Sequence, residues 1–167
     1  MFIYRLIQHA DGWLAGAERW FAIALTATMT GIMMTQVVLR YFFSAPLFWA
    51  EEISVQLLVF ITLIGLSLLV RAGQLVSIDF LRSALSEKGR HILAVVIGLG
   101  FLALLTFIAK LGWEWVIRPD VQLELSATTR LPRWYNYTLL PGAMLAMAFH
   151  QFAAVLRHLH ALKGAHA

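Results

Sequence analysis

Charged residues are absent from four long runs of this chain: Phe21 to Leu39, Ile53 to Val70, Ile92 to Ala109 and Trp134 to Leu156. The first three are 18 or 19 residues long. A bilayer core of about 30 Å is crossed by roughly 20 apolar helical residues. In lipid, each backbone N–H and C=O must find its partner within the segment, which selects helices. The pattern therefore predicts an all-α, polytopic membrane protein with four transmembrane helices, at approximately 20–39, 53–70, 92–109 and 138–156, plus short interfacial helices. The first third of the fourth run is aromatic and polar and is expected at the interface.

The connections carry their own patterns. Met1 to Trp20 mixes Leu6, Ile7, Trp13 and Leu14 with Arg5, Gln8, His9, Asp11 and Glu18. It reads either as an amphipathic helix on the membrane surface, interrupted near Gly12, or as a frayed tail. It lacks the short apolar core and small-residue cleavage site of a signal peptide, so the first span is expected to stay in the mature protein. The first connection, RYFFSAPLFWAEE from Arg40 to Glu52, is aromatic and should lie along the headgroup layer. Glu51 and Glu52 then open span two, where carboxylates suit the positive end of a helix. They are also placed to pair with Arg40 at the end of span one.

In the second connection, Leu75, Ile78, Leu81 and Leu85 recur at helical spacing. Ser77 is a possible N-cap and Asp79 sits in the first turn. This predicts a short surface helix over 76–85, ended by Gly89. The third connection is the longest: Lys110 and Glu114 are placed to pair on a helix that outruns the membrane. Trp113, Trp115, Trp134, Tyr135 and Tyr137 bracket it like an interfacial belt.

Composition narrows the function. Hydrophobic residues make up 60% of 167 and charged residues 13%, about half the usual charged share. The length leaves no room for a separate soluble domain, so residues 1–167 read as one membrane domain. The net charge of +4 is not a nucleic-acid signal, since Lys and Arg stand at the ends of the apolar runs and meet membrane lipid there. With four spans both termini share a side. Arg5, Arg19, Arg71, Arg82, Lys88, Arg90, Arg157 and Lys163 fall on that side, and Arg40, Lys110, Arg118, Arg130 and Arg133 on the other. Such a bias places both termini in the cytoplasm. There is no cysteine, which excludes thiol chemistry and cysteine-ligated metal.

Small and polar residues form stripes at helical spacing, Ala24, Thr28, Gly31 and Thr35 on span one and Gly142, Ala146, His150 and Ala153 on span four. Such stripes mark helix-packing faces. The spans have no Asp, Glu, Lys or Arg near their centres, where an ion-coupled transporter keeps one. His150, the one ionisable residue within a span, reads as a packed or hydrogen-bonded side chain. No catalytic, substrate-binding, metal or cofactor site is indicated, and the chain reads as a membrane scaffold, not an enzyme.

The run from Arg40 to Leu81 resembles the small membrane subunit (DctQ-type, Q subunit) of tripartite ATP-independent periplasmic (TRAP) transporters. Arg40, Tyr41, Phe43, Pro46, Trp49, Glu51, Glu52, Arg71, Gly73, Val76, Ile78, Asp79 and Leu81 carry the match. The stretch LPRWYNYTLLPGAML, Leu131 to Leu145, is similar to the family's entry to span four. Leu75 departs from it, standing where the family often has His. The resemblance implies a bacterial inner-membrane subunit that braces a large TRAP membrane subunit. The large subunit would carry the transport path and the sodium sites. A periplasmic substrate-binding protein would deliver an organic anion, a carboxylate such as a C4-dicarboxylate or a sialic acid. Arg40, Trp49, Glu51, Glu52, Arg71 and Asp79 become structural or subunit-interface candidates. Two other readings stay open. One is a four-helix haem-binding redox protein, with His91 and His150 as possible axial ligands. The other is a stand-alone oligomeric small transporter.

Overall fold

A computed structural model describes residues 2–74 and 86–164. The short surface helix expected over 76–85, with Asp79, lies outside the described residues. Among the described residues five helices follow in order: α1 (Phe2–Phe42), α2 (Ala50–Ala72), α3 (Glu87–Val116), α4 (Pro119–Gln122) and α5 (Trp134–Gly164). Among the described residues, four of them (α1, α2, α3 and α5) are long and apolar enough to cross a membrane.

The helix ends follow local chemistry. Gly73 takes a left-handed φ of 67° at the end of α2, which a residue without Cβ adopts at little cost. Its N–H and that of Gln74 then reach back to the carbonyls of Val70 and Leu69, at 3.0 and 3.2 Å. This closes the helix in a Schellman turn. Ser86 caps α3, its Oγ accepting the N–H of Gly89 at 3.3 Å. Gly89 therefore belongs to the first turn of α3 and does not terminate a preceding helix. At the other end α3 runs seven residues beyond Ala109, and Lys110 pairs with Glu114 at 3.6 Å.

The N-terminal segment differs from expectation. It is neither a frayed tail nor a separate surface helix, and there is no break at Gly12: α1 is one helix of 41 residues. At 1.5 Å per residue it is about 60 Å long, twice the thickness of a bilayer core. Exposed Leu6, Trp13 and Trp20 recur every seven residues on its outer side, whereas Asp11 and Ala15 are buried on its inner side. The aromatic segment after span one is correspondingly shorter than expected, because Arg40, Tyr41 and Phe42 are still helical.

The helices form a row more than a closed bundle. α1 lies mainly against α2, α2 against α1 and α5, and α3 against α5. The described residues give α1 and α3 no extensive contact. The apolar core is correspondingly on the α2–α3–α5 side, where Val70, Leu105, Ala143, Met147 and Ala148 are buried together.

The α3–α5 seam is tight. A Cβ placed on Gly98 would lie 2.7 Å from Gln151 and Val155, and one on Gly112 would touch Pro141 at 3.4 Å. Gly98, Leu105 and Gly112 are seven apart, as are Pro141, Ala148 and Val155. Of these, Gly98, Gly112 and Ala148 are small, and small residues at a seam let two helices approach closely in lipid. Pro141 lies inside α5 without ending it.

Candidate functional site

The inner face of α1 carries acids. Gln8, Asp11 and Glu18 are spaced by three and seven residues, so they share one side of the helix. That side meets α2 and the second half of α5. Asp11 and His150 are fully buried, at 1% and 0% exposure. His150 Nδ1 lies 2.6 Å from Asp11 Oδ1, and Nε2 lies 3.0 Å from Glu18 Oε2. Each ring nitrogen is thus within hydrogen-bond distance of a carboxyl oxygen. The other oxygen of Glu18 accepts from the hydroxyl of Ser67 at 2.8 Å. The other oxygen of Asp11 takes Arg71 Nε at 2.9 Å and faces Arg157 Nη1 at 3.6 Å. Arg157 also donates to Gln8 Oε1 at 2.9 Å, and Gln8 donates to the carbonyl of Ala153 at 3.0 Å.

This network joins three helices through charge-assisted bonds, which are about twice as strong as neutral ones. Two acids are matched by His150, Arg71 and Arg157, so each buried charge has a partner. That matters because an unpaired charge removed from water is costly. The arginines already occupy the Asp11 carboxylate and would repel an added cation. The arrangement is a structural clamp and not a metal centre.

Sequence reasoning assigned His150 a packed or hydrogen-bonded role, and the structure gives it one. It missed the partners, Asp11 and Glu18, because residues 1–20 were separated from span one. The available signal was the shared helical face of Gln8, Asp11 and Glu18, opposed by Leu6, Trp13 and Trp20 on another. Arg71, selected as an interface residue, serves this network. His91 and His150 do not face each other as a haem pair: both nitrogens of His150 are engaged with acids, and His91 Nδ1 lies 3.0 Å from His158 Nδ1.

The other end of the molecule gathers Trp49, Glu51 and Glu52, but not as an ion-pair site with Arg40. Among the described residues no salt bridge joins Arg40 to either acid. Glu51 Oε1 instead accepts from buried Gln36 at 3.3 Å. Glu52 Oε2 accepts the backbone N–H of Thr128 at 2.8 Å. Thr128 lies in a small hairpin, Leu125 bridging to Pro132, with Arg130 at a φ of 57°. Glu52 thus ties the long connection to the start of α2. Trp49, the residue before α2, remains 41% exposed. Nearby Tyr137 lies tilted against Trp115, ring centroids 4.5 Å apart, and donates to Glu124 at 2.9 Å. In the same connection, hydrogen bonds from Arg118 at 3.1 and 2.8 Å hold the Asp120 carboxyl below its ordinary value.

The small-residue stripe of α1 also departs from expectation. Ala24, Thr28, Gly31 and Thr35 are all exposed, and it is Gln36, three turns beyond Leu25, that is buried against α2. Nothing lies within 4 Å of a Cβ placed on Gly31. Among the described residues no helix packs on the stripe.

Residues 29–161 match the family of tripartite ATP-independent periplasmic transporters, DctQ component. The chain belongs to that family. Three relatives extend the comparison. The sialic acid TRAP transporter small permease protein SiaQ of Vibrio cholerae is 25% identical over 147 residues, covering 88% of this chain and 84% of the relative. The C4-dicarboxylate TRAP transporter small permease protein DctQ of Rhodobacter capsulatus is 34% identical over 104 residues, 62% of this chain and 45% of the relative. The sialic acid TRAP transporter permease protein SiaT of Haemophilus influenzae is 34% identical over 135 residues, 79% of this chain. The match spans only 21% of SiaT. The DctQ-family match covers the parts of α1 to α5 from Met29 onward, so Asp11 and Glu18 precede it while Arg71, His150 and Arg157 lie within it.

Proposed function

We propose that this chain is the small permease subunit of a sodium-driven, binding-protein-dependent TRAP transporter for an organic anion. It braces a large permease subunit and helps a periplasmic substrate-binding protein to dock. It resides in the bacterial inner membrane with both termini in the cytoplasm. The relatives' names favour a carboxylate solute, a sialic acid or a C4-dicarboxylate. Membership of the DctQ family carries the reading. The match to a stretch of the longer SiaT permease supports a small-subunit function in company with a larger permease.

The geometry supports the bracing role in a second way. The outer face of α1 presents Ala24, Thr28, Gly31 and Thr35, with no helix against them among the described residues. A stripe of small residues permits close approach of another helix in lipid, and the large subunit is the partner that fits. Glu52 and the hairpin it holds, with Trp49 beside them, would form the periplasmic face nearest the binding protein.

Affinity purification in mild detergent, with the genes for this chain and its large partner expressed together, tests the reading. The large subunit is expected in equal amount. Gly31→Leu should reduce its recovery at least several-fold while leaving the yield and melting of this chain unchanged. Reconstituted sodium-dependent uptake is expected only when both membrane subunits and the binding protein are present. Uptake by this chain and the binding protein alone would overturn the proposal.

A further inference from the structure

The clamp between α1, α2 and α5 has an outer side. There Arg19, Arg71 and Arg157 line a cavity of about 300 Å³ with Leu68 and Ala72. We propose that these three arginines bind a phosphate group, carried by the headgroup of a membrane lipid or by a free anion.

The three cations come from different helices. Each stands at the boundary of a charge-free run: Arg19 shortly before Phe21, Arg71 directly after Val70 and Arg157 directly after Leu156. Those boundaries coincide at one end of the molecule, where a membrane presents its phosphates. Trp13 and Trp20, highly exposed on α1, flank Arg19 at the depth that indole rings favour. This placement favours a lipid as the source.

The charge balance points the same way. Asp11 serves both Arg71 and Arg157, with one oxygen, and Glu18 is directed to His150 and Ser67. Arg19 makes no ion pair among the described residues. Two acids, Asp11 and Glu18, stand against three arginines. A phosphate group would offset this excess. Guanidinium forks match phosphate oxygens in pairs. Arg71 and Arg157 are more than a third exposed at their side chains, so each keeps N–H groups available beyond the bond to Asp11. The network holds these two guanidinium groups in place, and Arg19 closes the cavity from α1.

The test uses the full-length chain, delipidated in mild detergent. Phosphatidylglycerol is titrated in mixed micelles, followed by native mass spectrometry and by thermal melting. One retained phosphatidylglycerol and a raised melting temperature are expected, with phosphatidylcholine much weaker. Arg19→Gln should lower the lipid affinity at least five-fold without changing the melting temperature of the lipid-free protein, because Arg19 is outside the Asp11 network. Lys110→Gln, which removes the same charge elsewhere, should leave the affinity unaltered. In a parallel arm inorganic phosphate replaces the lipid. An Arg19-dependent stabilisation by phosphate, without one by phosphatidylglycerol, would keep the site and assign it to a free anion. Equal losses in Arg19→Gln and Lys110→Gln would reduce the effect to net charge and overturn the proposal. So would the absence of binding in both arms.

Discussion

α1 and α3 are attached to the rest of the molecule by opposite means. α3 fits against α5 through bare surface, with Gly98 where a side chain would collide and Gly112 where one would touch Pro141. α1 meets α5 through charge: Asp11 and Glu18 on either side of His150, with Arg71 and Arg157 behind. Lipid tails are as apolar as leucine, so the hydrophobic effect does not draw helices together inside a bilayer. Close packing and polar bonds remain, and this chain uses one for each outer helix. The contrast follows from sequence. α3 has no charged residue between Ile92 and Ala109 with which to build a network, whereas α1 offers two acids within its first half.

Substitutions should separate the two modes. The largest effect is expected at Asp11→Leu, which leaves Arg71, Arg157 and His150 facing one another without their shared acid. Breaking a buried charge pair from one side costs about 3–5 kcal/mol. Detergent unfolding followed by circular dichroism should show that loss, and cysteines introduced singly into α1 and α5 should no longer crosslink efficiently. Retained crosslinking and stability would mean that packing alone holds α1.

Gly98→Val ranks next. Its Cβ must displace Gln151 and Val155, and overpacking a close contact costs about 1–3 kcal/mol. The loss should appear in the α3–α5 contact while the Asp11 network persists, so Gly98→Val and Asp11→Leu should add nearly independently. Strong coupling between them would show the two attachments to be one.

Ser67→Ala removes a single bond to Glu18. Interhelical hydrogen bonds in membranes average about 0.6 kcal/mol, and a loss of that order is expected in the same unfolding measurement. Lys110→Gln should be smallest, at about 0.3–0.5 kcal/mol, since that pair is exposed on α3 beyond its apolar run. A Lys110 effect exceeding that of Ser67→Ala would reverse the ranking of buried over exposed polar contacts.

The spans were legible because uninterrupted absence of charge over 18 residues has one physical meaning in a helix. The extension of α3 was legible too, from the four-residue spacing of Lys110 and Glu114. The clamp was not. Asp11 and Glu18 look like the polar face of a surface helix when their segment is taken alone, and water was the natural neighbour to assign them. Their inward direction depends on α1 continuing unbroken into span one, and on His150 and Arg71, distant in sequence, arriving at the same depth. Glu52 presents the same difficulty: its nearest cation in sequence is Arg40, but its hydrogen bond comes from the backbone of Thr128, 76 residues on. The direction of the α1 stripe was hidden for another reason, since small residues suit a partner in another chain as well as one in this chain.

The unbroken length of α1 gives the molecule a lever. Its backbone ladder runs from Phe2 to Phe42 with no proline in it, so it lacks the usual cause of a sharp kink. Near one end Asp11 is gripped by α2 and α5, and towards the other Gln36 is linked to Glu51 at the start of α2. For a stiff rod of about 60 Å, each degree of tilt about one end moves the other by about 1 Å. A tilt of α1 at the clamp is therefore magnified by its length at the far end, beside the turn that opens α2.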